Sequence, residues 1–466
     1  MENKQRAQWG GKIGFVLAAA GSAVGLGNIW KFPGKAYEGG GGAYLLIYLA
    51  MVLLIGIPVM VTELGLGRFT NQNTVGTFKT LNKKFTWIGW FGVLCGFVIV
   101  SYYFHIGGWV CSYILSYITE SKTVMADGLA YFYKFLGLDA ATGSTFFPTR
   151  AILFGAIFTI ANSVILLAGV SGGIEKFNKV GMPALFVILI ILLVRVATLP
   201  GSFEGIKYMI IPDWSKVRAE TFLSALGQAF YSLSLGMAIM ITYGSYLKKD
   251  INIAKNSFVI CGLDTFVAFM SGFIIVPAVF ATVGSTGIGK GGTFAFAALP
   301  GVFAQMPAGP VFAVLFYLLL LFAALSSAIS IEEGVVAFVS EEWGGERKKA
   351  VIIISTVAFL IGVVYTISQA AYTIQLPWFD FTGMHMFSAG DWLEMFTDRV
   401  LLPVAALGEC IFVGWLWGPK KVIAEVRQNG VKFTWAGIYS FLIKFVCPVA
   451  IAVILLYSLI TGTTIS

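Results

Sequence analysis

The chain has 466 residues, of which 58% are hydrophobic and only 12% charged, with a formal net charge of +8 and a mean hydropathy of +0.85. A soluble domain carries about 25% charged residues, so a water-soluble globular class is excluded and lipid is the solvent for most of the chain. The positive balance then belongs to basic loops beside a bilayer, and no nucleic-acid partner is expected.

A spanning helix needs roughly 20 apolar residues. Segments of that kind lie near 12–36, 43–70, 87–120, 148–171, 176–198, 222–247, 254–283, 308–340, 348–370, 395–418 and 433–460. They predict about eleven spans of an all-α, multi-pass membrane protein. An odd number of crossings puts the termini on opposite sides. Basic clusters precede the first span (Lys4, Arg6, Lys12) and follow the second (Lys79, Lys83, Lys84), the sixth (Lys248, Lys249, Lys255), the eighth (Arg347, Lys348, Lys349) and the tenth (Lys420, Lys421, Arg427). The positive-inside rule therefore puts the N-terminus in the cytoplasm and the C-terminus outside. The charged start MENKQRAQWGGK runs straight into a long apolar segment, so no signal peptide is expected.

The first span holds GSAVGLGNIW at 21–30, three glycines, a serine and an asparagine in the middle of a candidate membrane helix. Glycine weakens a helix by roughly 1 kcal/mol relative to alanine, and asparagine in hydrocarbon needs partners. The sixth span, ALGQAFYSLSLGMAIMITY, has a similar polar centre at Ser232–Leu233–Ser234–Leu235–Gly236. Each opens a block of five spans. Interrupted helices in matching positions of two halves point to an inverted-repeat transporter with a midplane binding site. Close packing of two helices through small residues is the alternative.

An unwound turn exposes carbonyls that suit a small hard cation, and amides that suit a carboxylate. It is tolerated in a bilayer only where it is buried in protein or lines a cavity. Asn28, Ser232, Ser326 and Ser327 add side-chain oxygens. Asp264, in VICGLDTFVAF, is an intramembrane carboxylate and so a functional candidate. A structural hydrogen bond to a neighbouring helix is its plainer role. Glu63 and Glu409 are assigned a structural role, accepting the loose amides of the broken helices.

Other signals carry no chemistry. GSTGIGKG at 284–291 lacks the Ser or Thr of a P-loop and follows no strand. His105 and His385 have no metal-ligand spacing. Cys95, Cys111, Cys261, Cys410 and Cys447 sit in apolar runs as buried thiols. No nucleophile–base constellation stands out, so the chain is not read as an enzyme. The outside loop 283–305 has apolar pieces too short to span and is expected to form short capping helices.

GSAVGLGNIWKFP, followed by EGGGGAYLLIYLAMVLLIGIPVMVTELGLGR, resembles the neurotransmitter:sodium symporter family; GQAFYSLSLGMAIMITYGSY and LFAALSSAISIEE resemble its sixth and eighth helices. The resemblance covers nearly the whole chain and fits the bacterial members with eleven spans. It implies the LeuT-type 5+5 inverted repeat with broken first and sixth helices. The expected parts are a cytoplasmic segment 1–11, a first repeat 12–198, an extracellular loop 199–221, a second repeat 222–418 and an eleventh helix within 433–466.

The resemblance also implies ligands. A first sodium site takes the Ala23 carbonyl, Asn28, Ser232 and Asp264. A second takes the carbonyls of Gly21, Val24 and Ala323 with the hydroxyls of Ser326 and Ser327. The substrate pocket takes Ser22, Ala23, Leu26, Gly27, Ile99, Tyr103, Tyr231, Ser232, Ser234, Met237, Ser327 and Ile331. Gly25 stands where monoamine carriers of the family have an aspartate, which favours an α-amino acid. Ile99, Tyr231, Met237 and Ile331 favour an apolar or aromatic side chain. Asp264 stands where many relatives have asparagine, and its fixed charge predicts chloride-independent transport.

The outer gate matches Lys31 with Glu394, where the family commonly has arginine and aspartate. The inner gate matches Arg6 with Glu341, beside Trp9 and Tyr246. Gly173 and Pro183 bracket a stretch of the fifth span that related bacterial members are suggested to unwind, a simple kink being the alternative. The expected function is sodium-coupled symport, with two ions, of a neutral, hydrophobic or aromatic L-amino acid across the plasma or inner membrane. The rivals are a proton-coupled carrier with Asp264 as the proton site, a channel, and a sensor that binds without transporting.

Overall fold

The computed structural model describes residues 7–284, 294–342, 344, 346–370, 372 and 374–461. Lys12–Ala23 (α1) and Gly27–Glu38 (α2) form one apolar span bent by 51°. Four continuous spans follow: Gly42–Thr70 (α3), Lys83–Thr119 (α4), Thr149–Leu167 (α5) and Val170–Ala197 (α6). The sixth expected span is two pieces, Ala219–Ser232 (α7) and Ile239–Ser245 (α8). Five further spans complete the chain: Ile253–Thr282 (α9), Gly309–Glu342 (α10), Arg347–Gln369 (α11), Ala389–Trp417 (α12) and Ala436–Thr461 (α13). Every expected span thus has a helical counterpart.

Both interruptions have local causes. After Ala23 the chain leaves the helix at Val24 (φ −72°, ψ 86°) and resumes with a widened turn at Gly27–Lys31. Between α7 and α8, Ser234, Gly236 and Ala238 all have positive φ (55°, 74° and 64°). Glycine adopts that region freely. For serine and alanine it is strained by about 1–3 kcal/mol each, and the strain persists only where surrounding structure holds it.

Burial separates a core from a rim. In their most apolar stretches α3, α9, α10 and α12 are 61–67% buried, whereas α5, α6, α11 and α13 are only 28–44% buried. The rim exposes aliphatic side chains such as Ile160, Val187, Ile190, Leu360, Val449 and Leu456, which suits contact with lipid. The second half of the broken helix seats closely on α3. A Cβ at Gly67 would lie 1.9 Å from the Ile241 carbonyl oxygen, and one at Gly244 2.5 Å from that of Leu64.

Three features depart from the expectations. The tenth expected span begins earlier, at Ala389, because Ser388 Oγ caps it by accepting from the Asp391 amide (3.0 Å). Before it lies an unanticipated antiparallel hairpin, Gln375–Asp380 (β1) paired with Gly383–Ser388 (β2), in register from Gln375↔Ser388 to Asp380↔Gly383. Of the cysteines, all free, Cys111 is only half-buried; the other four are buried. The expected outer caps are partly described, as Phe294–Ala304. Most of the stretch 284–291 lies outside the described residues.

Candidate functional site between the two interrupted helices

The breaks in α1/α2 and α7/α8 face each other and are stitched by serines. Ser22 O accepts from Ser234 Oγ (3.0 Å) and from Ser327 Oγ of α10 (3.1 Å). Ser22 Oγ donates to Ser234 Oγ (3.3 Å). The loose Gly236 amide is taken by Glu63 Oε1 (2.7 Å), the structural role expected of that carboxylate. Glu409 does not share it: its buried Oε1 meets no donor among the described residues. It lies close enough to Glu63 for the two carboxyl groups to interact.

Between the breaks lies a cavity of about 20 Å³, enough for roughly one water. Its lining contains all of the expected substrate positions (Ser22, Ala23, Leu26, Gly27, Ile99, Tyr103, Tyr231, Ser232, Ser234, Met237, Ser327 and Ile331) together with Gly25 and Asn28. Tyr103 reaches across it to accept from the Leu26 amide at 3.4 Å. A Cβ at Gly25 would lie 2.8 Å from Ser327 Oγ and 3.4 Å from Tyr103 Oη.

Asp264 lies behind the lining, in contact with Asn28 and Ser232. Its carboxylate accepts from Ser232 Oγ (2.7 and 2.8 Å), Asn28 Nδ2 (2.7 Å) and Tyr48 Oη (3.2 Å). The Asn28 oxygen in turn accepts from the Gly25 amide (3.2 Å). All three donors are neutral, and among the described residues no Lys, Arg or His lies within 4.0 Å of this fully buried group. A buried carboxyl group is paired, coordinated to a metal ion or protonated. An oxygen-rich cluster with one uncompensated charge fits a hard monovalent cation, here cargo.

Of the residues of the second expected site, Gly21 and Ser326 lie side by side. Ser326 Oγ donates to Phe322 O (2.9 Å) and Ala323 O (3.1 Å), and a Cβ on Gly21 would lie 3.2 Å from Ser326 Cβ. Val24, just beyond α1, points its carbonyl out of the helical direction.

Lys31 and Glu394 both line a second cavity of about 170 Å³ above the first, with Tyr103 and Tyr231 forming its floor. They do not pair: Lys31 Nζ lies 5.0 Å from the Tyr231 ring centroid, and Glu394 Oε1 accepts from Tyr365 Oη (2.8 Å). At the other end Trp9 donates from Nε1 to Tyr243 O (3.1 Å) and from its amide to Tyr246 O (3.3 Å). Arg6 lies outside the described residues, and Glu341 accepts from the Asn73 amide and Nδ2 (3.0 Å each).

Sequence reasoning missed an ion pair at this end. Arg347 grips Glu333 in bidentate fashion (2.8 and 2.6 Å), and Tyr246 Oη donates to the same carboxylate (2.7 Å). It missed Tyr48 as an Asp264 donor, and Glu332, buried between Asn162 Nδ2 and Ser355 Oγ. Two adjacent glutamates at the end of an apolar run were the available signal.

The model of the sodium:neurotransmitter symporter family matches residues 6–125 and 122–466. The chain belongs to this family. It is 35% identical over 98% of its length to YhdH, an uncharacterized sodium-dependent transporter of Bacillus subtilis (strain 168), covering 98% of that protein. An uncharacterized sodium-dependent transporter of Haemophilus influenzae is also 35% identical, over 98% of this chain and 99% of its own. The crystal structure of MhsT in complex with L-phenylalanine superposes with a TM-score of 0.83 at 35% identity, covering 97% of this chain and 99% of that one. The symporter has the LeuT-type fold with broken first and sixth helices. It is a multi-pass, sodium-dependent membrane transporter and not an enzyme.

Proposed function

We propose that this symporter takes up a neutral, hydrophobic or aromatic L-amino acid with two sodium ions, by alternating access and without chloride. The observation that carries the reading is the coincidence of every expected substrate position in one cavity between the two breaks, with an uncompensated Asp264 beside it. The substrate carboxylate lies against the amides of the first break and joins the Asp264 set around the first ion. Ile99, Tyr231, Met237 and Ile331 receive its side chain. The second ion is held by Gly21, Val24, Ala323, Ser326 and Ser327.

The repeats 12–198 and 222–418 rock about this site. The N-terminus lies in the cytoplasm and the C-terminus outside, in the plasma or inner membrane. MhsT, at 35% identity, was crystallised with L-phenylalanine, which supports an amino acid of that kind.

The test is a binding competition across the twenty amino acids, with sodium and with sodium replaced by choline, each in chloride and in gluconate. Sodium-dependent displacement by apolar and aromatic L-amino acids in both anions is expected. Displacement that persists in choline, or that needs chloride, would overturn the corresponding part.

A further inference from the structure

The seam between α1 and α6 carries polar groups that the assigned sites do not use. Glu175 accepts from the Gly10 amide (2.7 Å) and pairs with Lys179 (2.7 Å) at the inner end of α6. One turn further on, Asn178 is fully buried. Its Nδ2 donates back to Ile174 O (2.9 Å), which fixes the direction of its oxygen. Among the described residues that oxygen has no donor. It lies against the Cα of Gly21, a residue of the second expected sodium site, with Ser326 of the same site alongside: a Cβ on Gly21 would sit 2.0 Å from Asn178 Oδ1 and 3.2 Å from Ser326 Cβ.

A buried amide oxygen without a donor is uncommon in native proteins and calls for a partner. Gly21 presents only C–H there, and the nearby Ser326 hydroxyl is already engaged by α10 carbonyls. A hard cation is the chemistry that accepts such an oxygen. We propose that Asn178 is a further ligand of the second sodium ion, offered from α6. This rests on the proposed assignment of that ion to Gly21, Val24, Ala323, Ser326 and Ser327.

Position gives the ligand a second effect. Asn178 lies between Gly173 and Pro183, where α6 begins with a widened turn at Val170–Glu175 and then lacks the amide of Pro183. An ion held partly from this segment is coupled to its winding. Sodium stabilises the wound helix, and unwinding withdraws one ligand, so each biases the other by linkage.

The test uses the intact protein in proteoliposomes and compares Asn178→Ala, the isosteric Asn178→Asp and Ser326→Ala. Asn178→Ala is expected to raise the sodium half-saturation of uptake by roughly fivefold or more. Its thermal midpoint in sodium-free buffer stays at the parent value, while the extra stabilisation by sodium shrinks. Asn178→Asp, with a full charge in the same volume, lowers the half-saturation and slows turnover. A merely structural asparagine would instead lower the sodium-free midpoint and leave the sodium dependence alone.

If Ser326→Ala shifts the sodium dependence and neither Asn178 variant does, the proposal is overturned and the assigned site stands. If Ser326→Ala leaves it unshifted, the assigned site falls and the proposal with it.

Discussion

At the residue scale the decisive group is Asp264, a buried carboxylate served only by neutral donors. Asp264→Asn keeps the shape and removes the charge. A charge-assisted contact is worth about 1.5–3 kcal/mol, so the sodium half-saturation of uptake should rise by roughly tenfold or more, read by sodium titration in proteoliposomes. An unchanged titration would remove Asp264 from the ion's ligands. Gly25 sets the size of the cavity. A methyl there meets Ser327 Oγ at 2.8 Å, and overpacking costs about 1–3 kcal/mol. Gly25→Ala should therefore weaken binding of bulky amino acids more than small ones, measured by competition. Asp264 was legible in the sequence because one carboxylate stands alone in an apolar run. Tyr48 was not, since a tyrosine in an apolar segment gives no sign of where its hydroxyl ends. Asn178 was hidden by its neighbours Lys176 and Lys179, which make the stretch read as a solvated helix start.

At the element scale the two breaks are the proposed working parts, and each is held from outside itself. Glu63 on α3 anchors the second break through the Gly236 amide. Glu63→Ala leaves that buried amide without an acceptor, a loss of about 1–3 kcal/mol. A lower thermal midpoint and weaker substrate binding should appear together, since both depend on the same turn. Pro183 acts differently, because it interrupts the hydrogen-bond ladder of α6 without touching the cavity. Pro183→Ala restores the ladder, so turnover should fall while substrate affinity measured at equilibrium stays near the parent value. Helix number and both breaks could be read from the chain, because apolar length and misplaced glycines are local signals. The hairpin of β1 and β2 could not. Its strands, QLPWFD and GMHMFS, carry a proline and no clean alternation, so no local pattern marks them as paired.

At the scale of the whole molecule, the two ends of the transport path are in different conditions. The end with Trp9 is packed shut by Tyr243 and Tyr246 and locked by Glu333 with Arg347, whereas the end with Lys31 and Glu394 keeps a cavity of about 170 Å³ and an unmade charge pair. In the alternating access proposed above these conditions exchange, and a gating role for the Arg347–Glu333 pair requires it to break in each cycle. Glu333 is fully buried, and removing one partner of a buried pair is destabilising by about 3–5 kcal/mol. That penalty falls only on the state in which the pair is made. A shift from 1:99 to 99:1 needs about 5.5 kcal/mol, so Arg347→Ala should move a large part of the population toward the inward-open form. A cysteine at Ala20, buried on α1 between the inner end and the cavity, reports this when Cys111 is first replaced by serine. Alkylation by a water-soluble reagent from the cytoplasmic face, in the orientation proposed above, should be faster in Arg347→Ala. Sodium with substrate should slow it again, because ligands that bind the sealed state better draw the population back to it. An alkylation rate indifferent to both Arg347 and sodium would mean that this pair braces the fold and does not gate it.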